Sequence, residues 1–340
     1  IYGSIQEAIQ APNPQSSLIL VSGICRGVNT AVLDGETISQ TVLITDSVQI
    51  QGGWNSDFTQ YTNDETIIDP EGLGRGVFIS DTVNASIENI SIVNGVATGL
   101  GGGPADEDAG GNIYNLNATA VFSGVRVLTG TATRGGGFYN ASGSARFEVW
   151  EPGPGLDDDF DNQPNRFAAN EATLGGAFYT ELGTIIFNAA HVHNNSATDG
   201  AGGYNETAVL SVTNVIFDEN EATGNGGAFY NAASNTQFLH NTVYTNTAAS
   251  GGGYYNASGD ATGPAMQVVA GTVTEDYNYF HDQTAPAGLG ANSIDSGTPP
   301  GLIDPAEDDF NLEADAPAVD AGDPESAVTT DYVRAPRPTN

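Results

Sequence analysis

Gly226-Gly227-Ala228-Phe229-Tyr230-Asn231 decides how this chain folds, because five further copies can be laid over it, each ending in Tyr-Asn or Tyr-Thr. The tyrosine recurs at Tyr114, Tyr139, Tyr179, Tyr204, Tyr230 and Tyr255, at intervals of 25, 40, 25, 26 and 25 residues. The long interval is 25 plus 15, and an insertion rich in Pro and Asp, residues 151–165, lies inside it. Self-similarity at this period marks a solenoid or an array.

Working outward from the motif, an asparagine recurs at Asn170, Asn195, Asn220 and Asn246. It is preceded three residues earlier by Phe167, Val192, Phe217 and Val243. Two positions after it comes a small residue, Ala172, Ala197, Ala222 and Ala248, with Ala132 in the same column. Between Tyr-Asn and Phe-x-x-Asn the apolar residues alternate, as in Leu210, Val212, Val215 and Phe217, and period two means strand. A unit of short strands without a helix cannot bury its apolar face alone, so the units must stack. Stacking in register pairs each strand with its equivalents above and below, about 4.8 Å apart.

The expected fold is therefore all-β, a right-handed parallel β-helix of roughly ten coils, about 50 Å long. The asparagines of the second column should sit at a corner, their amides bonded to the backbone of neighbouring coils as a ladder. The paired glycines should serve the same bends.

One stacked core can absorb all 340 residues, so residues 1–340 read as a single domain. Residues 1–16 form an N-terminal cap, 17–280 the coils, and 281–340 an irregular C-terminal cap or tail. Ser4-Ile5-Gln6-Glu7-Ala8-Ile9 has the capping box and spacing of a short amphipathic helix, suited to plugging the open end of the core. The last 40 residues are rich in Pro and Asp, which argues for a folded-back cap.

Net charge is −34, from 42 acidic residues against eight arginines and no lysine. Such a surface repels nucleic acid and anionic lipid, and makes Ca²⁺ a plausible companion without requiring any cofactor. Cys25 is the only cysteine, which excludes a disulfide frame and a thiolate zinc site; it reads as a small buried residue. No stretch approaches the roughly 20 apolar residues of a membrane-spanning helix.

The opening Ser4 to Ile9, then Ile24-Cys25-Arg26-Gly27 and Gln51-Gly52-Gly53-Trp54, resembles the start of bacterial secreted right-handed parallel β-helix proteins. Asp309-Phe310-Asn311-Leu312, Ala316 to Gly322, and Asp331 with Arg334 to Pro338 resemble the C-terminal region of choice-of-anchor Q domain proteins. The Gly-Gly-Ala-Phe and Phe-x-x-Asn repeats are similar to those of chlamydial polymorphic outer-membrane proteins. These resemblances imply a secreted or cell-surface location and no particular reaction.

Catalytic constellations are not visible in the repeat columns. Arg126, Arg134, Arg146 and Arg166 do not share one column, His191, His193, His240 and His281 do not line up, and Asp218, Glu219 and Glu221 gather on one corner only. All read as solvated surface residues, and no catalytic residue is assigned. Oxygen ligands for Ca²⁺ are available at Asp106, Glu107 and Asp108, and at Asp157, Asp158, Asp159 and Asp161. Seven glycosylation sequons occur, at Asn84, Asn89, Asn117, Asn140, Asn194, Asn205 and Asn256. Asn140, Asn205 and Asn256 belong to the Tyr-Asn column and should point inward, leaving Asn84 and Asn194 as the better acceptors.

The tyrosine column is the strongest candidate binding feature. If Phe138, Phe178 and Phe229 face the core, the adjacent tyrosines face out as a stripe of six rings. Such a stripe braces neighbouring strands, offers a platform for sugar rings, or contacts a second copy or another protein. The expected function is an extracellular structural or adhesive solenoid of a bacterial surface, sheath or filament, associating with copies of itself or with matrix components. The alternatives are a polysaccharide lyase or hydrolase and a glycan-binding module.

Overall fold

Each coil bends at fixed places into short strands that pair with their equivalents one period away. The structure is a computed structural model that describes residues 1–11, 18–33, 35–80, 82–151, 164–232 and 236–257, then the backbone of 258–261, 266–270, 273–276, 279–281, 294–296, 302–304 and 309–312, with 313, 315 and 316. A representative coil runs Phe178–Glu181, Thr184–Phe187, Ala190–His193 and Ser196–Ala197. Its inward residues stack on their repeats: Phe178 on Phe138, Ile185 on Ala145 and Leu210, Val192 on Phe167 and Phe217. Phe178, Ile185, Phe187 and Val192 are all fully buried, so the alternation read from sequence faces the core as expected.

Repetition turns these strands into three long sheets wound as a parallel β-helix. Sheet A has nine strands, from Leu18–Leu20 to Val273–Asp276, and sheet B has ten, from Ile24–Arg26 to Ile294–Ser296. Sheet C has eleven and carries the tyrosine motif, while Thr131–Arg134, Glu171–Leu174, Ser196–Ala197 and Glu221–Ala222 form a fourth, narrow ribbon. Phe122, Phe147 and Phe187 stack along the axis with centroids 4.9 and 4.6 Å apart, close to one rung spacing.

Corners use the left-handed conformation. Asn117, Ser142, Leu182 and Thr207 occupy it between sheets C and A, and Ala169, Asn194, Glu219 and Thr245 occupy it immediately before the ladder asparagines. In the deciding motif Gly226 has φ +68°, and a Cβ there would lie 2.5 Å from the carbonyl oxygen of Phe229. At Gly227 a Cβ would meet the Gly252 carbonyl at 2.3 Å, so the first glycine makes the bend and the second admits the next coil.

At the N-terminal end the helix Ile5–Ile9 starts as the capping box predicts: Glu7 N donates to Ser4 Oγ at 3.1 Å. Ile5 enters the core, and the Gln6 amide pairs with both backbone groups of Leu43, at 2.7 and 3.2 Å. The helix therefore substitutes for a missing rung in both packing and hydrogen bonding. Beside it, Asn29–Leu33 and Glu36–Ile44 form an antiparallel hairpin that the repeat reading does not anticipate. Its sequence signal is Asp34-Gly35 between alternating runs, the pattern of a tight hairpin turn.

Two boundaries differ from expectation. Asn165 is the first residue of a strand and fully buried, so it belongs to the coil and not to the insertion. Parallel pairing of Ile294–Ser296 with Tyr279–His281 carries the coils past residue 280. Asp157, Asp158, Asp159, Asp161 and the motif residues from Pro317 to Pro338 lie outside the described residues.

Candidate functional site

Two ladders of asparagine run through the interior. Asn170 Nδ2 donates to Asn195 Oδ1 at 2.9 Å, Asn195 to Asn220 at 2.9 Å and Asn220 to Asn246 at 2.8 Å. Each amide also donates to a carbonyl of the preceding coil: Asn195 to Phe167 O, Asn220 to Val192 O and Asn246 to Phe217 O. Their oxygens accept the backbone N–H of the ladder residue one coil earlier, at 3.0 to 3.2 Å. Where the column carries glycine, Gly130 N keeps the ladder contact by donating to Asn170 Oδ1 at 2.8 Å, while Gly95 N donates at 2.7 Å to Asn112 Oδ1, a side chain from outside the column.

The second ladder is the asparagine of the Tyr-Asn motif. Asn115 donates to Asn140 at 2.8 Å, Asn205 to Asn231 at 3.0 Å and Asn231 to Asn256 at 3.1 Å. Thr180 interrupts it, accepting from Asn140 at 3.2 Å and leaving Asn205 Oδ1 buried without a partner. The sequons at Asn140, Asn205 and Asn256 are thus fully buried, whereas Asn84, Asn117 and Asn194 are exposed.

On the outer face of sheet C the tyrosines form one stack, which Phe78 extends toward the N-terminus. Centroid separations from Phe78 through Tyr114, Tyr139, Tyr179, Tyr204 and Tyr230 to Tyr255 are 4.7, 5.2, 5.3, 5.0, 4.4 and 4.9 Å. The phenylalanines face the core and the tyrosines face away from it, as the pairing Phe138-Tyr139 requires. The expectation of an exposed stripe is corrected for half its length: Tyr114, Tyr139 and Tyr179 are buried, under Ile38 of the hairpin, Ala109, Leu174 and the segment 99–109. Only Tyr204, Tyr230 and Tyr255 remain half-buried. Neighbouring rings cover one another's faces, so the column presents edges and hydroxyls outward, which is poor geometry for a sugar that must lie flat on a ring.

Two arginines seal the covered half. Arg75 donates from Nε to Ala109 O and from Nη2 to Gly101 O, both at 2.8 Å, with its guanidinium 5.0 Å from the Tyr114 centroid. Burial pushes its pKa down to about 10, since the low-dielectric surroundings disfavour the charge. Arg134 lies 5.0 Å from the Tyr179 centroid and bonds Glu107, the Tyr179 hydroxyl and, at 3.2 Å, Glu206. Tyr179 donates in turn to Glu206, and Tyr139 donates to Glu181 at 2.7 Å. Burial first, then Glu181, hold the Tyr139 hydroxyl above its usual range. Of the acidic loop, Glu107 is thus engaged by Arg134, and Asp108 accepts from Gly101 N at 3.0 Å. Among the described residues no group of three His, Cys, Asp or Glu side chains converges to hold a metal.

Sheet B brings together residues that the sequence reading treated as scattered surface groups. Arg126, Arg166 and His191 fall in one register column, and His193, Asp218, Tyr244 and His281 in another. The expectation that no histidines line up is therefore corrected for His193 and His281, whereas the four arginines do not share one column, Arg134 and Arg146 lying on other sheets, although Arg126 and Arg166 do. His191 Nε2 contacts Asp218 Oδ1 at 2.5 Å, Tyr244 donates to Asp218 Oδ2 at 3.1 Å, and Arg166 Nε donates to His193 Nε2 at 2.8 Å. The two imidazoles stack at 4.1 Å. His191, His193 and Asp218 are buried, so they are not solvated surface groups. The long interval hid this alignment, because Arg126 and Arg166 are 40 residues apart.

Cys25 is half-buried against the core, and burial pushes its thiol up, away from reactivity. Among the described residues no helix is long and apolar enough to cross a membrane. No protein-family model, curated protein or solved structure matches this chain.

Proposed function

We propose that this chain is an extracellular structural or adhesive solenoid of a bacterial cell surface, sheath or filament, associating with copies of itself. The observation that supports this most is the continuity of its axial order: asparagine amides and aromatic rings link coil to coil on both sides of sheet C. Such ladders stiffen a rod. With the Tyr114 to Tyr179 segment covered by the chain itself, that part of the tyrosine face cannot carry contact between copies, and the C-terminal region is left as the place for it. Salt and Ca²⁺ relieve repulsion between −34 charges and promote this contact, Ca²⁺ acting as a counterion and not as a cofactor. Light scattering across a salt and Ca²⁺ titration should reveal growing assemblies; a monodisperse monomer at high protein concentration in every condition would reject the reading.

A second reading, a carbohydrate-active protein, draws on the Arg166, His191, His193, Asp218 and Tyr244 cluster, because buried titratable networks concentrate at functional sites. Incubation with pectin, alginate and neutral glycans, with and without Ca²⁺, separates the two. Reducing or unsaturated ends above a heat-treated control would move the assignment to an enzyme.

A further inference from the structure

The tyrosine stack is built to one plan along its length, yet it is finished differently in its two halves. Over Tyr114 and Tyr179 the chain lays its own guanidinium groups, Arg75 and Arg134, each 5.0 Å from a ring centroid. Arg134 shows the mode of recognition in full: one terminal nitrogen donates to a tyrosine hydroxyl and to the carboxylate of Glu206 one rung on. The next rungs repeat the rings in parallel register, Tyr179 on Tyr204, Tyr204 on Tyr230 and Tyr230 on Tyr255. Among the described residues no guanidinium lies over Tyr204, Tyr230 or Tyr255.

The surroundings of this open half are acidic. Glu206 shares a strand with Tyr204, and Glu181 precedes it by one rung. Asp199 is held in place by Asn225, which donates from N at 2.7 Å and from Nδ2 at 2.8 Å to the same oxygen. Burial, with Asp199 among the nearby negative charges, raises the Tyr204 and Tyr230 hydroxyls above their ordinary range.

We infer that the face formed by Tyr204, Tyr230 and Tyr255 with Glu206 and Asp199 is a docking surface for an arginine-bearing segment of another protein, seated as Arg134 is seated on Tyr179. Charge complementarity selects a cationic occupant, since a chain of net charge −34 draws in positive segments and repels acidic ones. Hydroxyl and carboxylate acceptors beside an aromatic ring favour the flat, forked guanidinium over the compact lysine ammonium. A second copy is a poor source, because the chain has only eight arginines and uses Arg75 and Arg134 for its own version of the contact.

The test titrates amidated tetra-arginine and tetra-lysine peptides into the full chain by calorimetry. The arginine peptide should bind about threefold tighter or better, and Tyr230→Leu and Tyr255→Leu should each remove about threefold of that preference. Asp199→Asn should weaken both peptides. Because a tyrosine variant can fail to fold, nitration of the unaltered protein gives an independent readout: the arginine peptide should protect Tyr204, Tyr230 and Tyr255, identified by mass spectrometry. Equal affinity for the two peptides, an arginine preference that survives both tyrosine substitutions, or unchanged nitration at these three residues would overturn the inference and leave only general attraction to an acidic surface.

Discussion

The asparagine ladder from Asn170 to Asn246 and the tyrosine stack from Tyr114 to Tyr255 look alike in sequence, each a column of one residue type at one period. In the folded chain they behave differently. Every ladder asparagine is buried and bonded to a neighbouring ladder amide and to a backbone carbonyl. The tyrosines change from buried to half-buried along the same axis. An inward column is enclosed by its own coil, so its surroundings repeat with the sequence. An outward column meets whatever non-repeating segment lies across it, here the hairpin and the segment 99–109.

Alkaline titration should break the contrast most severely. Burial raises the hydroxyls of Tyr114, to about 12, and of Tyr139, Tyr230, Tyr244 and Tyr254 further still. A raised folded pKa means stability that is complete below the unfolded value near 10 and is lost as pH rises through the folded value. Ellipticity and tyrosine ionisation should therefore change together above about pH 10, while the asparagine ladder, having no proton to lose, sets no limit of its own. Tyrosines that ionise near pH 10 with the fold intact would show that the stack is more open than its geometry.

Tyr179→Ala should cost about 3–5 kcal/mol in denaturant unfolding, as for other fully buried aromatic side chains. It also removes the hydroxyl between Arg134 and Glu206. Asn220→Leu should cost about 1–3 kcal/mol, since it leaves the Val192 carbonyl and the Asn195 amide without their buried partner. A cost near zero would mean that water replaces the amide. The smallest effect is expected at the open end, where Tyr255→Ala should cost about 0.5–1.5 kcal/mol through loss of one stacked neighbour. Equal costs at Tyr179 and Tyr255 would erase the distinction between covered and open halves.

Acid should loosen sheet B by a separate route. Arg166 Nε can only donate, so His193 Nε2 accepts and the imidazole is neutral in this arrangement. Protonating His193 removes the acceptor and places a second cation beside Arg166, with His191 stacked at 4.1 Å and Asp218 as the nearby anion. His193→Gln should therefore reduce any destabilisation seen on lowering pH from 7 to 5, measured by thermal unfolding. An unchanged pH dependence would place the acid sensitivity elsewhere.

Periodicity alone determined the coil, its inward phenylalanines and valines, the corner asparagines and the capping helix. Each of these depends on contacts between a residue and its own repeats, or between residues a turn apart, and the sequence carries that spacing directly. Tertiary structure decided the rest. Which tyrosines are covered depends on a hairpin near residue 35 and on Arg75, far from the rings in sequence. The sheet B cluster depends on Arg126 and Arg166 lying on adjacent rungs although they are 40 positions apart in sequence. A repeat announces which residues stack, because stacking is the repeat; what lies over the stack comes from segments that do not repeat, and only their folding brings them there.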